Sequence, residues 1–213
     1  MVNYLIGLIL LCSALSAYAV PREAVSMCSG FFISNNGLVL TAAHCYDETM
    51  DIFVEKDNKS YKATVLHLDR NTDLLVLKIN INTKDFFTVS QINQVGAEVY
   101  VLGYPLPSYL GWNLKGVTAT ITRVYLKDGL VTVHGSSACF GNSGGPVVNQ
   151  ANEVLGVASA IHGEGPCSYF LIYANSLKTI QQYTIVTHRQ NSIFSIQQAK
   201  EANEAKMVII YRK

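Results

Sequence analysis

With 213 residues, 49% of them hydrophobic and only 15% charged, the chain can bury one large core or two small barrels that share an interface. A net charge of +1 gives no electrostatic basis for gripping nucleic acid or an anionic membrane surface, and neither is expected as a partner. Short runs of Val, Ile, Thr, Tyr and Leu, broken by Gly and Asn, point to an all-β body.

Residues 1–19 read apart from the rest. Tyr4–Leu15 is an apolar run too short to span a bilayer comfortably, and Ala17-Tyr18-Ala19 fits the small-x-small cleavage pattern. A removed export signal is therefore expected, with Val20 leading the mature chain and no stable membrane association afterwards. Met1-Val2-Asn3 lacks the usual Lys or Arg, and an uncleaved anchor is the alternative. Leu11 before Cys12 is not the small residue that a lipoprotein anchor requires. Setting Cys12 aside leaves Cys28, Cys45, Cys139 and Cys167, an even number that favours disulfides in an exported chain, with free buried thiols as the alternative. No Cys or His spacing suits zinc, so neither metal nor cofactor is expected.

Phe31–Ser34 and Leu38–Thr41 read as two strands joined through Asn35-Asn36-Gly37, where the Asn-Gly pair suits a hairpin turn. The second delivers Ala42-Ala43-His44-Cys45. Asp51–Val54 and Tyr61–His67 alternate as strands around a turn at Lys56–Lys59. Asp69 and Asp73 then flank a turn before Leu74–Leu77, an apolar run typical of a buried strand. Residues 80–94 weaken into a linker.

A second set of strands follows: Glu98–Gly103, Val117–Tyr125, Leu130–His134, Pro146–Val148, Val154–Ala160 and Phe170–Ala174. Lys127-Asp128-Gly129 and Asn149–Asn152 serve as turns. Asn175 or Ser176 could cap a helix to about Tyr183, and Ile193–Lys206 has the composition of a second. Met207–Tyr211 reads as a further strand.

Three blocks stand in order along this chain: Thr41-Ala-Ala-His44-Cys45, Thr72-Asp73-Leu-Leu-Val-Leu-Lys78 and Gly141-Asn-Ser143-Gly-Gly-Pro146. Over residues 28–180 they resemble the trypsin-like (chymotrypsin-fold) serine peptidases. The resemblance implies two packed antiparallel β-barrels with C-terminal helices, residues 23–90 forming the first barrel and 95–175 the second. The peptidase domain would cover 20–180, leaving 181–213 as a helix-strand extension. It implies a serine endopeptidase acting on proteins or peptides, secreted or periplasmic, with His44, Asp73 and Ser143 as its triad. A serine hydroxyl is a poor nucleophile until a neighbour takes its proton, and an imidazole orientated by a carboxylate can do so near neutral pH. The N–H groups of Gly141 and Ser143 would form the oxyanion hole.

The same resemblance pairs Cys28 with Cys45 and Cys139 with Cys167, cross-links that chain entropy values at roughly 3–4 kcal/mol each. Ser137 maps to the floor of the primary pocket, where no carboxylate stands to favour Arg or Lys. Ser159-Ala160-Ile161 maps to the strand that pairs with substrate, and Ile161, standing where glycine is common, narrows the pocket mouth. Small or medium aliphatic side chains are therefore expected on the acyl side. Ser-Gly-Phe-Phe-Ile-Ser34 and Gly-Asn-Ser-Gly-Gly-Pro-Val-Val-Asn149 look like the HtrA branch, whereas the disulfides look like the animal-type trypsins. A catalytically silent binding module and an HtrA-like quality-control protein are the alternative functions.

Two departures stand out. Cys28 lies only eight positions after Val20, so either the first barrel lacks its opening strand or another segment, such as Met207–Tyr211, fills the place. Asn142 stands where trypsin-type zymogens carry the aspartate that receives a freed N-terminal ammonium. An amide cannot form that salt bridge, so trimming the mature N-terminus is expected not to activate the protein. Peptidase assays on a nested set of N-terminal trims test this; activity appearing from zero would contradict it.

Overall fold

The structure, a computed structural model, describes residues 24, 26–90, 94–125, 130–161, 167–176, 182–183 and 193–213. The segment 1–19 lies outside them. The protein is mostly β, arranged as two curled antiparallel units.

The first unit is a seven-stranded sheet. Its strands are β1 (Ser26–Phe32), β2 (Leu38–Ala42), β3 (Ile52–Lys56), β4 (Lys59–Lys62), β5 (Thr64–Asp69), β6 (Leu74–Lys78) and β13 (Met207–Arg212), in the order β4-β3-β13-β1-β2-β6-β5. Gly37 makes the β1–β2 turn with φ +84, and a β-carbon there would lie 2.4 Å from the Ile79 carbonyl oxygen, so only glycine fits. Asp57 and Asn58 both take positive φ (51° and 60°) in the β3–β4 hairpin, the pattern that two-residue turns need to match strand twist.

The run Tyr61–His67 is not one strand, as its alternation suggests, but parts of two. β4 pairs with β3 at one edge of the sheet and β5 pairs with β6 at the other. Ala63 alone joins them, its N–H bonded to the Ile52 carbonyl at 2.9 Å. A single residue cannot span a flat seven-stranded sheet, since neighbouring strands lie about 4.8 Å apart. The sheet therefore curls until its edges meet.

The place next to β1 is filled by β13. Ser26–Phe31 pairs antiparallel with Arg212–Met207, and the other edge of β13 pairs with β3. Met207, Val208, Ile209, Ile210 and Tyr211 are all buried. A helix, α1 (Ile196–Asn203), leads into this strand. Its N-terminus carries a reciprocal capping box between Ser195 and Gln198, which satisfies two backbone donors that the helix cannot. The other expected helix is not capped at Asn175 or Ser176. Those residues belong to the last strand of the second unit, facing Leu130 and Gly156, because barrel closure claims their backbone groups. Of the remainder, Gln182–Tyr183 form a short 3-10 turn and 177–181 lie outside the described residues.

The second unit is a closed barrel of β7 (Glu98–Gly103), β8 (Lys115–Tyr125), β9 (Leu130–Cys139), β10 (Pro146–Asn149), β11 (Val154–Ile161) and β12 (Cys167–Ser176), ordered β10-β11-β12-β9-β8-β7. The Lys127–Gly129 turn lies outside the described residues. One buried cluster runs from Phe31, Leu40 and Val76 of the sheet to Leu102, Val148 and Val157 of the barrel. The two units thus share a core, and a seam runs between them.

Truncation before Glu201 removes all of β13. Burial of one large aliphatic or aromatic side chain is worth about 1.5–3 kcal/mol, and a whole domain is stable by only about 5–15 kcal/mol. The truncated chain is expected to lose cooperative unfolding in a thermal melt; an unchanged Tm would show that β13 is dispensable.

Candidate active site

The seam gathers side chains from both units. His44 comes from the first, where β2 ends in a 3-10 turn, Ala43–Cys45, that buries Ala43 and Cys45 and leaves His44 exposed. Cys45 is bonded to Cys28 of β1, which fixes this turn to the sheet. The two sulfurs and a His44 nitrogen lie within 4.8 Å of one another, but both sulfurs are used by the disulfide and are not metal ligands.

Asp73 comes from the neighbouring β5–β6 turn. Asp69 organises that turn, its carboxylate accepting from the Thr72 hydroxyl at 2.7 Å and from the N–H groups of Asn71 at 2.9 Å and Thr72 at 3.2 Å. The Thr72 hydroxyl leads in holding the Asp69 carboxyl below its ordinary range. Asp73 follows with φ 53, a left-handed conformation that Asp tolerates better than most side chains.

The Asp73 carboxylate forks onto His44. Oδ1 accepts from the His44 backbone N–H at 2.8 Å, and Oδ2 accepts from Nδ1 at 2.8 Å. The Ala43 N–H also donates to the Asp73 carbonyl, at 3.1 Å. A further donor arrives from across the seam, the Ser159 hydroxyl on Oδ2. Burial pushes the Asp73 carboxyl up, but the hydrogen bonds from His44 and Ser159 and the charge of His44 outweigh it and hold the carboxyl below its usual range. An ionised carboxylate only accepts, so Nδ1 carries the proton, and Nε2 of the neutral ring is left as an acceptor.

The second unit supplies residues 139–146 between β9 and β10. Gly141 has φ +99, and a β-carbon on it would lie 2.3 Å from the Tyr104 carbonyl oxygen. The Phe140 carbonyl accepts from the Leu106 N–H at 2.7 Å, and the Asn142 carbonyl accepts from the Gly145 N–H at 2.9 Å. In a trans peptide the N–H points opposite to the C=O. Anchoring those two carbonyls therefore turns the N–H groups of Gly141 and Ser143 the other way. Among the described residues neither N–H donates a backbone hydrogen bond outside the ladders. Ser143 is half-buried, and Asn142 beside it is buried.

The remaining residues singled out in the sequence fall on the barrel strands. Ser137 lies in β9, and Ala160 and Ile161 lie in β11 opposite Tyr173 and Ile172; their side chains are outside the described part. Ser159 sits at an irregularity in β11 between Ala158 and Ala160, which turns its hydroxyl to Asp73. That contact had no signal in the sequence, because a serine in a strand carries no mark of a partner on another unit. Cys139 is disulfide-bonded and lies directly opposite Cys167 in the ladder between β9 and β12.

Three comparisons bear on this site. A family model described as "Trypsin-like peptidase domain" matches residues 28–157. The chain is similar to a "Probable periplasmic serine endoprotease DegP-like" of Pseudomonas savastanoi pv. phaseolicola, 35% identical over 150 residues that make up 66% of this chain and 30% of the relative. It is also similar to "Serine protease HTRA2, mitochondrial" of Drosophila virilis, 32% identical over 142 residues, 62% of this chain and 33% of the relative. The chain thus spans about a third of the length of these curated relatives. In fold it is similar to the solved structure "HtrA-type protease AlgW with decapeptide", with a TM-score of 0.61, 23% identity, and coverage of 71% of this chain and 48% of the other.

Ser159→Ala removes a donor to the charged form of Asp73, so its carboxyl should titrate at higher pH than in the wild type. Carbon-13 NMR of the Asp73 carboxyl reads this directly, and an unmoved titration would show that the Ser159 contact contributes nothing. The folded carboxyl titrates below its unfolded value of about 3.9. Its contribution to stability is therefore complete above about pH 4 and is lost as pH falls through the folded value.

Proposed function

Because the chain belongs to the trypsin-like peptidase domain family, we propose that it is a serine endopeptidase with Ser143 as nucleophile, His44 as general base and Asp73 as the group that orients His44. The observation that carries this reading is the fork of Asp73 on both the main chain and Nδ1 of His44. That contact fixes the ring and its tautomer together, which is what proton transfer through Nε2 requires. Ser143 Oγ would attack the scissile carbonyl while its proton passes to His44. The imidazolium, stabilised by the Asp73 carboxylate, then returns the proton to the leaving amine, and an acyl-enzyme remains. Water, deprotonated by the same imidazole, releases the acid.

The oxygen that becomes negative in each tetrahedral intermediate would be held by the N–H groups of Gly141 and Ser143. Loss of one such donor typically costs about 2.7–4 kcal/mol in the barrier. The substrate would lie along β11. β10 pairs with β11 only as far as Val157, whereas β12 follows it through Ile161, so residues 159–161 offer one edge for an added strand. Ser137 at the pocket floor and Ile161 at its mouth favour small or medium aliphatic side chains. No stable membrane association after removal of segment 1–19, and no nucleic-acid partner, form part of the same reading. So does a second cross-link between Cys139 and Cys167, for which their direct pairing across the ladder speaks.

The Cys28–Cys45 disulfide supports export to an oxidising compartment, periplasmic or secreted. The name of the bacterial relative is in keeping with this, while the insect relative is named as mitochondrial.

Labelling by a fluorophosphonate tests the reading. The wild type should be labelled and should cleave peptides from a mixed library, and Ser143→Ala should do neither. Asp73→Asn should lower kcat by about 10⁴-fold, the loss seen for the same change in the reference Ser-His-Asp triad. A wild type that takes no label and cleaves nothing would instead mark a silent binding module.

A further inference from the structure

Four hydrogen bonds converge on Ser29, a β1 residue with 0% of its surface exposed. Its hydroxyl donates to the Gly141 carbonyl at 2.6 Å and accepts from the Tyr104 N–H at 2.9 Å. Its own N–H donates to the Ser143 carbonyl at 2.8 Å, and its carbonyl accepts from the Thr41 hydroxyl at 2.7 Å. Ser29 belongs to the first unit, whereas Gly141, Ser143 and Tyr104 belong to the second unit or its loops. Resting on the endopeptidase reading above, we propose that Ser29 is a positioning residue that holds the oxyanion hole in working form from across the seam.

The loop is held by its carbonyls. Four successive ones, from Phe140 to Ser143, are each anchored: by the Leu106 N–H, the Ser29 hydroxyl, the Gly145 N–H and the Ser29 N–H. The first and third anchors aim the N–H groups of Gly141 and Ser143. Ser29 supplies the second and fourth, which fix the peptides immediately after those two residues. A glycine at φ +99 has no β-carbon to resist rotation of its following peptide. The bond from Ser29 supplies that resistance.

The residue type fits the task. A hydroxyl donates and accepts at once, so one atom satisfies both a buried carbonyl and a buried N–H. Alanine would remove both hydrogen bonds, and a thiol is weak in either role. The arrangement also accounts for a loop that carries Asn142 in place of an acid, since its tie comes from a strand of the first sheet and not from an inserted terminus.

The test separates positioning of the hole from general support of the fold. For the wild type and Ser29→Ala, kcat and KM are measured on a cleaved peptide, with affinity for a peptidyl boronic acid, whose adduct mimics the tetrahedral anion. Kd for an uncleaved peptide is measured in Ser143→Ala with and without Ser29→Ala. Loss of positioning should lower kcat and boronate affinity by at least about tenfold, while KM and peptide Kd move by less than about twofold. Unchanged kcat, or boronate and peptide affinities falling together, would overturn the proposal. If Ser29→Ala shows no cooperative melt, Ser29→Cys, similar in volume and a weak hydrogen-bonding group, takes its place with the same expectations. A wild type that neither cleaves nor labels overturns the endopeptidase reading and this proposal with it. Normal cleavage by Ser29→Ala overturns this proposal alone.

Discussion

The two units touch through their main chains at the loop that carries Ser143, and this contact governs where every other group at the seam can lie. A β-carbon at Gly144 would fall 2.1 Å from Thr41 Oγ1 and 2.2 Å from the Ser29 carbonyl oxygen. One at Gly145 would fall 2.1 Å from the Leu102 carbonyl oxygen. All three distances lie far inside van der Waals contact, so the pair after Ser143 can only be glycine. The height of Ser143 above the first sheet is thereby set by backbone against backbone. Such a contact does not drift with rotamer changes, which suits a site whose parts come from separate units.

Around that contact, polar groups are tied in sequence. Asp69 is held by Thr72 and its own turn, Asp73 leaves that turn in a left-handed conformation, and its carboxylate then fixes both the backbone and the ring of His44. Ser159 closes the arrangement from the barrel side. Each group is orientated before any ligand arrives, which is the condition for charge stabilisation without reorganisation during a reaction. The Cys28–Cys45 disulfide acts at the same place by a different route. Its sequence separation is 17, for which loop closure in the unfolded chain accounts for roughly 3 kcal/mol.

Much of this was legible in the sequence, for identifiable reasons. Leu38–Thr41, Leu74–Leu77 and Glu98–Gly103 are apolar or alternating runs, and each falls within a strand of the structure. Asn-Gly at 36–37 marks a turn because the backbone there needs positive φ. The blocks that hold His44 and Asp73 are separated along the chain, yet their side chains meet at 2.8 Å. What stayed hidden was pairing at long range. The Ser159–Asp73 contact spans 86 positions, and Ser29 to Gly141 spans 112. Serine hydroxyls leave no periodic trace, and no local propensity names a partner that far away. The split of Tyr61–His67 was hidden for a related reason: alternation continues through Ala63, although the chain there passes from one sheet edge to the other.

The placing of β13 has a consequence for how the protein comes into being. β1 is the first strand described, and both it and β3 need β13 as a neighbour. During translation, residues 207–212 leave the ribosome only after everything on which they pack. Until then two buried strands present open edges, and the sheet that carries His44 and Asp73 is incomplete. Pairing of such high sequence separation is slow, because the entropy of closing the chain must be met before the contacts form. Until residues 207–212 emerge, β1 and β3 lack the strand that lies between them, and their apolar edges are in need of shelter.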